Sequence, residues 1–239
     1  LGNPINKAKR TIALVNYHNG KKRFEKQADA FDNALVNKIE RLDIDVAAPT
    51  ERMPEGDESR RNDPQGMTHA HHFYSNRNLL LLSRMLQSCQ SPTIRCALLD
   101  GHTVGTHMSR FRASAWASKS TGPMKGATAG TLYVPSLIGE QNWLNIFKEK
   151  VSMIKRASFK DSPSIIETKS TTSTMHPANS LDYIFLDPPF GSNIMYSELN
   201  FLWESWLRVW TNNIEEAIEN KTQQKSLDSY RSLMAKSFE

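Results

Sequence analysis

Leu181-Asp182-Tyr183-Ile184-Phe185-Leu186-Asp187-Pro188-Pro189-Phe190 is a short apolar run that ends in an acid, two prolines and an aromatic ring. Residues 181–186 are too few for a stable helix and rich in strand formers, so the pattern predicts a largely buried strand with Asp187 at its C-terminal end. In open α/β sheets ligands bind beyond the carboxyl ends of the strands, which is where this acid would stand. Each proline fixes its own φ near −65° and offers no N–H, so the turn is stiff and presents only acceptors. The Asp187 carboxylate and the turn's carbonyls can converge on a group with two donor hydrogens, such as a primary amine on an aromatic ring, with Phe190 as a flat face beside it. Stacking a base on such a ring is worth ~1–3 kcal/mol.

Downstream, Leu199, Leu202, Trp203, Trp206, Leu207 and Trp210 recur at helical spacing, predicting a strong amphipathic helix whose tryptophans are mostly core. Residues 227–238 carry another helical pattern without a stop signal. Upstream, Thr11 to Val15 is expected as a strand, followed by a turn at Asn19-Gly20 and the basic group Lys21, Lys22, Arg23 and Lys26, a solvated face. Phe31, Leu35, Ile39 and Leu42 predict an amphipathic helix over roughly 28–41. Residues 49–68, rich in Pro, Gly and charge, predict a long loop. Ser75 or Asn76 would cap a core helix carrying Leu79, Leu80, Leu82, Met85 and Leu86. A short strand is expected over 131–137, a helix face at Trp143, Ile146, Phe147 and Val151, and a further strand around Ile165 and Ile166.

Residues 101–139 contain no acid, yet hold Arg110, Arg112, Lys119 and Lys125 interleaved with Phe111 and Trp116. Cations beside aromatics suit a nucleic-acid backbone and unstacked bases, although a basic loop that happens to lack acids has the same composition. His69, His71 and His72 have no nearby Cys and point differently on any regular element, so loop packing or phosphate contact is expected there and no metal.

The Asp187-Pro188-Pro189-Phe190 run after an apolar stretch resembles the catalytic motif of amino-methylating nucleic-acid methyltransferases, which use S-adenosylmethionine on adenine N6 or cytosine N4. Within these the chain is similar to a group of large bacterial DNA methylases. The similarity covers Asn179 to Ile184 and Gly191 to Glu204 around the motif. It also covers Arg52-Met53-Pro54-Glu55-Gly56-Asp57, Arg60-Arg61-Asn62-Asp63, Gly66-Met67-Thr68-His69, His71-His72-Phe73-Tyr74 and the run from Gly130 to Leu137.

The resemblance implies an α/β chain: a partial Rossmann-like class I methyltransferase fold with an inserted, largely helical and loop-rich target-binding region. Residues 1–48 would be a strand–helix part of the core, 49–160 the basic insert, and 161–239 the catalytic-motif part. It implies S-adenosylmethionine as cofactor, DNA as partner, catalytic Asp187, Pro188, Pro189 and Phe190, and Asn193 and Tyr196 lining the base pocket or else packing the next helix. It leaves room for a restriction or defence-system partner.

Against the family pattern, the eleven glycines include no Gly-x-Gly. The nearest candidate for a cofactor loop, Leu98-Leu99-Asp100-Gly101-His102-Thr103-Val104-Gly105, lacks the tight spacing that lets a backbone approach its ligand. With Leu1 in place of an initiator Met, the chain has the look of an internal fragment with an incomplete cofactor pocket. Three readings stay open: a DNA amino-methyltransferase acting on adenine in preference to cytosine, an rRNA guanine-N2 methyltransferase, and a nucleic-acid-binding remnant without catalysis.

The composition is compatible with each. Thirty Lys plus Arg against 25 Asp plus Glu give a net charge of +5, and the excess lies upstream of the motif. Two cysteines form neither a disulfide framework nor a zinc site, which fits a reducing cytoplasm. No apolar run has the length of a membrane span.

Overall fold

The computed structural model describes residues 10–44, 47–117, 125–156 and 164–239. It begins with an antiparallel hairpin of β1 (Val15–Asn19) and β2 (Lys22–Lys26), joined at Gly20-Lys21. Gly20 sits at φ +59°, as the first central residue of a two-residue hairpin turn requires, and the strands pair outward from it. The turn therefore sets the strand at 15–19 where the apolar run predicted 11–15, and the basic group lies on β2. Helix α1 (Ala30–Glu40) starts at a capping box between Asp29 and Asp32, but its apolar side stays open, with Phe31 73% exposed.

The 49–68 stretch is not an open loop. It holds α2 (Asp57–Arg60) and a 3-10 turn at Asp63–Gln65, and buries Met53, Ser59, Asn62 and Met67. Buried irregular backbone needs partners for its carbonyls, and Arg60 provides them, donating to Met53 O at 2.7 Å, Pro54 O at 2.9 Å and the Asp63 carboxylate at 2.8 Å.

Helix α3 (Asn76–Ser88) starts at Ser75, whose hydroxyl accepts from the Asn78 N–H, and buries Leu79, Leu82 and Leu86. Helix α4 (Pro92–Asp100) follows, and a 3-10 turn at His102–Gly105 leads into β3 (Arg110–Phe111). Next come α5 (Ala113–Ala117) and β4 (Lys125–Gly126), the antiparallel partner of β3. Helix α6 (Trp143–Arg156) buries Trp143 and Ile146. Helices α7 (Tyr196–Leu207) and α8 (Leu227–Phe238) complete the order.

One core joins Met53, Met67, Phe73, the buried leucines of α3 and α4, Trp143 and Ile146 of α6, and Leu202 and Trp206 of α7. At its centre the Trp206 indole donates to the Tyr74 hydroxyl at 3.0 Å, the two rings edge to face. Residues on both sides of 160 thus share one core. Of the downstream tryptophans only Trp206 is buried; Trp203 lies on the outer side of α7, and Trp210 follows the helix's left-handed end at Arg208.

Helix and sheet are both present, but among the described residues the sheets are two antiparallel pairs and there is no parallel sheet. The run 181–186 is coil with a bend at Asp182 and no ladder partners, with Tyr183 and Phe185 each 79% exposed, so the predicted buried strand is not formed. A strand is stabilised by its neighbours, and none is offered here. For the same reason Ile165 and Ile166 are exposed coil, and 131–137 is coil in which Leu132 and Val134 are nonetheless buried.

The glycines beside α6 are set by space. A Cβ on Gly105 would lie 2.5 Å from the Trp143 ring, and one on Gly101 2.8 Å from Ile146 Cγ2. Gly105→Ala is expected to cost about 1–3 kcal/mol, because the Trp143 ring it would meet is buried. Urea unfolding of the variant checks this, and an unchanged midpoint would mean that the ring has room to move.

Candidate functional site

The Asp187–Phe190 turn is anchored from behind. Tyr230 of α8 donates its hydroxyl to Pro189 O at 2.9 Å, the Asn193 N–H donates to Phe190 O at 3.0 Å, and the Glu219 N–H to Gly191 O at 3.2 Å. Gly191 has φ +55°, and a Cβ there would stand 3.0 Å from Glu219 Oε1. With the backbone held on that side, the Asp187 and Phe190 side chains are exposed, while both prolines are half-buried. Asn193 is exposed, and Tyr196 opens α7 at 39% exposure. These four side chains share one loop and its exit, but among the described residues no hydrogen bond or ring contact joins them into a closed pocket.

Beneath the loop lies a polar floor that sequence reasoning does not single out. Glu198, in the first turn of α7, is fully buried. Its carboxylate accepts from the Ser59 N–H at 2.6 Å and from the Asn220 amide at 2.9 Å. Gly56 leaves the space, since a Cβ there would overlap the carboxylate. Burial pushes the Glu198 carboxyl above its ordinary range, and the bonds from Ser59 and Asn220 oppose that. Next to it, Glu216 accepts from the Ser197 N–H at 2.9 Å, satisfying the start of α7 in place of an N-cap side chain. Asp57 accepts from the Thr222 hydroxyl and from the N–H groups of Thr222 and Lys221. The Thr222 hydroxyl is the main cause of its lowered carboxyl pKa.

On the other side of α2, Glu58 accepts from the Thr131 hydroxyl at 2.6 Å and the Leu132 N–H at 3.0 Å, and the Asn62 amide donates to Leu132 O at 3.1 Å. Gly130 closes the circuit, because its Cβ position is 4.0 Å from Ile194, just past the motif. Residues 56–62, 130–132 and 194–198 thus meet at the start of α7. The signal for the floor is present in Gly56, Glu198 and their neighbours. What is missing is any local pattern that ties a Glu to a Gly more than a hundred residues away.

Arg110 and Arg112 are exposed at β3 and just after it, beside half-buried Phe111 and exposed Trp116. Lys119 lies outside the described residues, and of Lys125 only the backbone, in β4, is described. The three imidazoles of His69, His71 and His72 cluster with ring centroids 4.2–5.7 Å apart. His72 Nδ1 accepts from the N–H groups of Thr68 and His69, which turns it toward the backbone. Among the described residues no group of side chains is arranged to hold a metal ion.

Among the described residues, neither the 98–105 stretch nor the groove beside α6 fits S-adenosylmethionine. The glycines of the 98–105 stretch are filled by α6 and cannot bring backbone close to a ligand. The groove of about 400 Å³ between α3, α4 and α6, lined by Met85, Cys89, Ile94, Leu98 and Phe147, offers no carboxylate for a ribose. Among the described residues no helix is long and apolar enough to cross a membrane.

Burial pushes His71 and His102 down to about 4, the neighbouring His72 and His69 adding to the effect at His71. Between about 6.5 and about 4 the folded chain binds fewer protons than the unfolded one. Their contribution to stability is therefore complete above pH 6.5 and is lost as the pH falls through that window. The urea midpoint should be lower at pH 5 than at pH 7, and His71→Gln should narrow the difference. An equal difference in the variant would remove His71 from this account. Comparison with family models, characterised proteins and solved structures finds no match for the chain.

Proposed function

We propose that the chain is the base-holding part of a DNA methyltransferase that modifies the exocyclic amine of adenine, in preference to cytosine. The observation that carries this reading is the Asp187–Phe190 turn, fastened from behind at Pro189, Phe190 and Gly191 with its acid and its aromatic ring left open. A base drawn out of the duplex would stack on Phe190 and give its two N–H groups to the Asp187 carboxylate and the Pro188 carbonyl. Holding both hydrogens draws the nitrogen lone pair out of the ring's conjugation, which is what a weakly nucleophilic amine needs. Asn193 and Tyr196, on the same loop and its exit, would touch the edge of that base, and the exposed Arg110 and Arg112 would meet phosphates. S-adenosylmethionine is the methyl donor that the resemblance implies. The described residues make no cradle for it, so the share assigned to them is the target base.

In the full-length protein, Asp187→Ala is expected to lower methyl transfer to DNA by roughly 10²–10³, the usual loss when a preorganised charged acceptor is removed. The melting temperature should stay near the wild type, because Asp187 is exposed. Single-turnover transfer of labelled methyl and a thermal melt on the same samples check this. Full turnover by folded Asp187→Ala protein would overturn the reading, and label appearing in ribosomal RNA in place of DNA would change the substrate.

A further inference from the structure

The β1–β2 hairpin is a two-stranded ribbon whose both faces are open. On one face the cross-strand pairs are Val15–Lys26, Tyr17–Phe24 and Asn19–Lys22; on the other they are Asn16–Glu25 and His18–Arg23. Tyr17 and Phe24 stack at 5.5 Å with their planes 20° apart, yet stay 44% and 39% exposed. The ribbon carries Lys21, Lys22, Arg23 and Lys26 against the single acid Glu25. Lys26 is engaged by Asp29 and Asp32, and Arg23 by Asn16 and Glu25. Lys21 and Lys22 at the tip have no carboxylate partner among the described residues. The aromatic pair stabilises the ribbon across its strands, and its exposed surface beside the unpaired lysines suits a polyanion that also offers an apolar surface.

We infer that this hairpin is an arm that enters the major groove of duplex DNA. The groove, about 12 Å wide, admits a two-stranded ribbon. Lys21 and Lys22 at the tip can reach the phosphates that line the groove, while the aromatic pair, on the same face as Lys22, meets the base edges and thymine methyls on the floor. An acidic peptide would use the cations and leave the rings idle. The inference stands apart from methyl transfer, since a chain that binds DNA through the hairpin and transfers nothing still satisfies it.

The test is binding of the full-length protein to a labelled duplex over a series of salt concentrations. Wild type is compared with Lys21→Glu/Lys22→Glu and, separately, Tyr17→Ser. The lysine variant should bind about tenfold or more weakly at ~0.1 M salt, with a log K against log salt slope shallower by about 2, one unit for each phosphate that is no longer neutralised. Tyr17→Ser should weaken binding with the slope unchanged, because it removes no charge. A lysine variant with wild-type affinity and slope would overturn the inference. So would wild-type binding to anionic phospholipid vesicles as tight as to the duplex. An equal loss on single-stranded DNA would overturn the groove placement. Both sites are exposed, so melts of the variants are expected to match wild type and separate these outcomes from misfolding.

Discussion

A buried carboxylate must be neutralised or bonded, and the position of Glu198 in this chain is set by that constraint. Its two oxygens are satisfied by the backbone of Ser59 and the side chain of Asn220, which draws α2, the start of α7 and the segment before α8 to one point. Removing a partner from such a site costs about 1–3 kcal/mol per unsatisfied group, whereas a solvated ion pair is worth a fraction of that. The surface pairs, such as Arg77 with Glu140 at 2.9 Å, are therefore secondary. Gly56 is the matching half of the device, because any side chain there would occupy the carboxylate's place.

The floor explains how an irregular loop can be held in one place without a sheet under it. Residues 187–194 follow a run that has no ladder partner among the described residues and enter a helix whose first turn is fixed by Glu216 and Glu198. Tyr230 adds the third hold, and it reaches Pro189, one residue past the Pro188 carbonyl proposed to take the base. A turn with two fixed φ angles, bonded from behind, loses little further entropy when a ligand arrives, which is the physical content of preorganisation.

Helices are legible in the sequence where apolar spacing and a cap coincide. Ser75 before Leu79, Leu82 and Leu86 marks α3, and Trp143 with Ile146 marks the buried side of α6. Strands are less legible, because a run such as 181–186 states only that it can pair; whether it does depends on edges elsewhere in the chain. The 49–68 segment reads as an open loop, and is not one, for a related reason. Its Pro, Gly and charge mark it as irregular, and only the bonds of Arg60 within the segment and the long-range bonds of Glu58 and Asn62 show that irregular backbone can be buried. The tryptophans of α7 follow the same rule: periodicity places Trp206 inside, but it cannot say that Trp203, although its ring meets His102, would stay 39% exposed.

The central claim is that the Glu198 carboxylate and the Asn220 amide act as one unit in joining the motif helix to the rest. A double-mutant cycle of Glu198→Ala, Asn220→Ala and the pair, measured by urea unfolding at pH 7, tests it most directly. The account predicts that the double variant is destabilised by less than the sum of the singles, with a coupling of about 1–3 kcal/mol, because the second truncation removes a group already left without its partner. Additive losses within about 0.5 kcal/mol would contradict it.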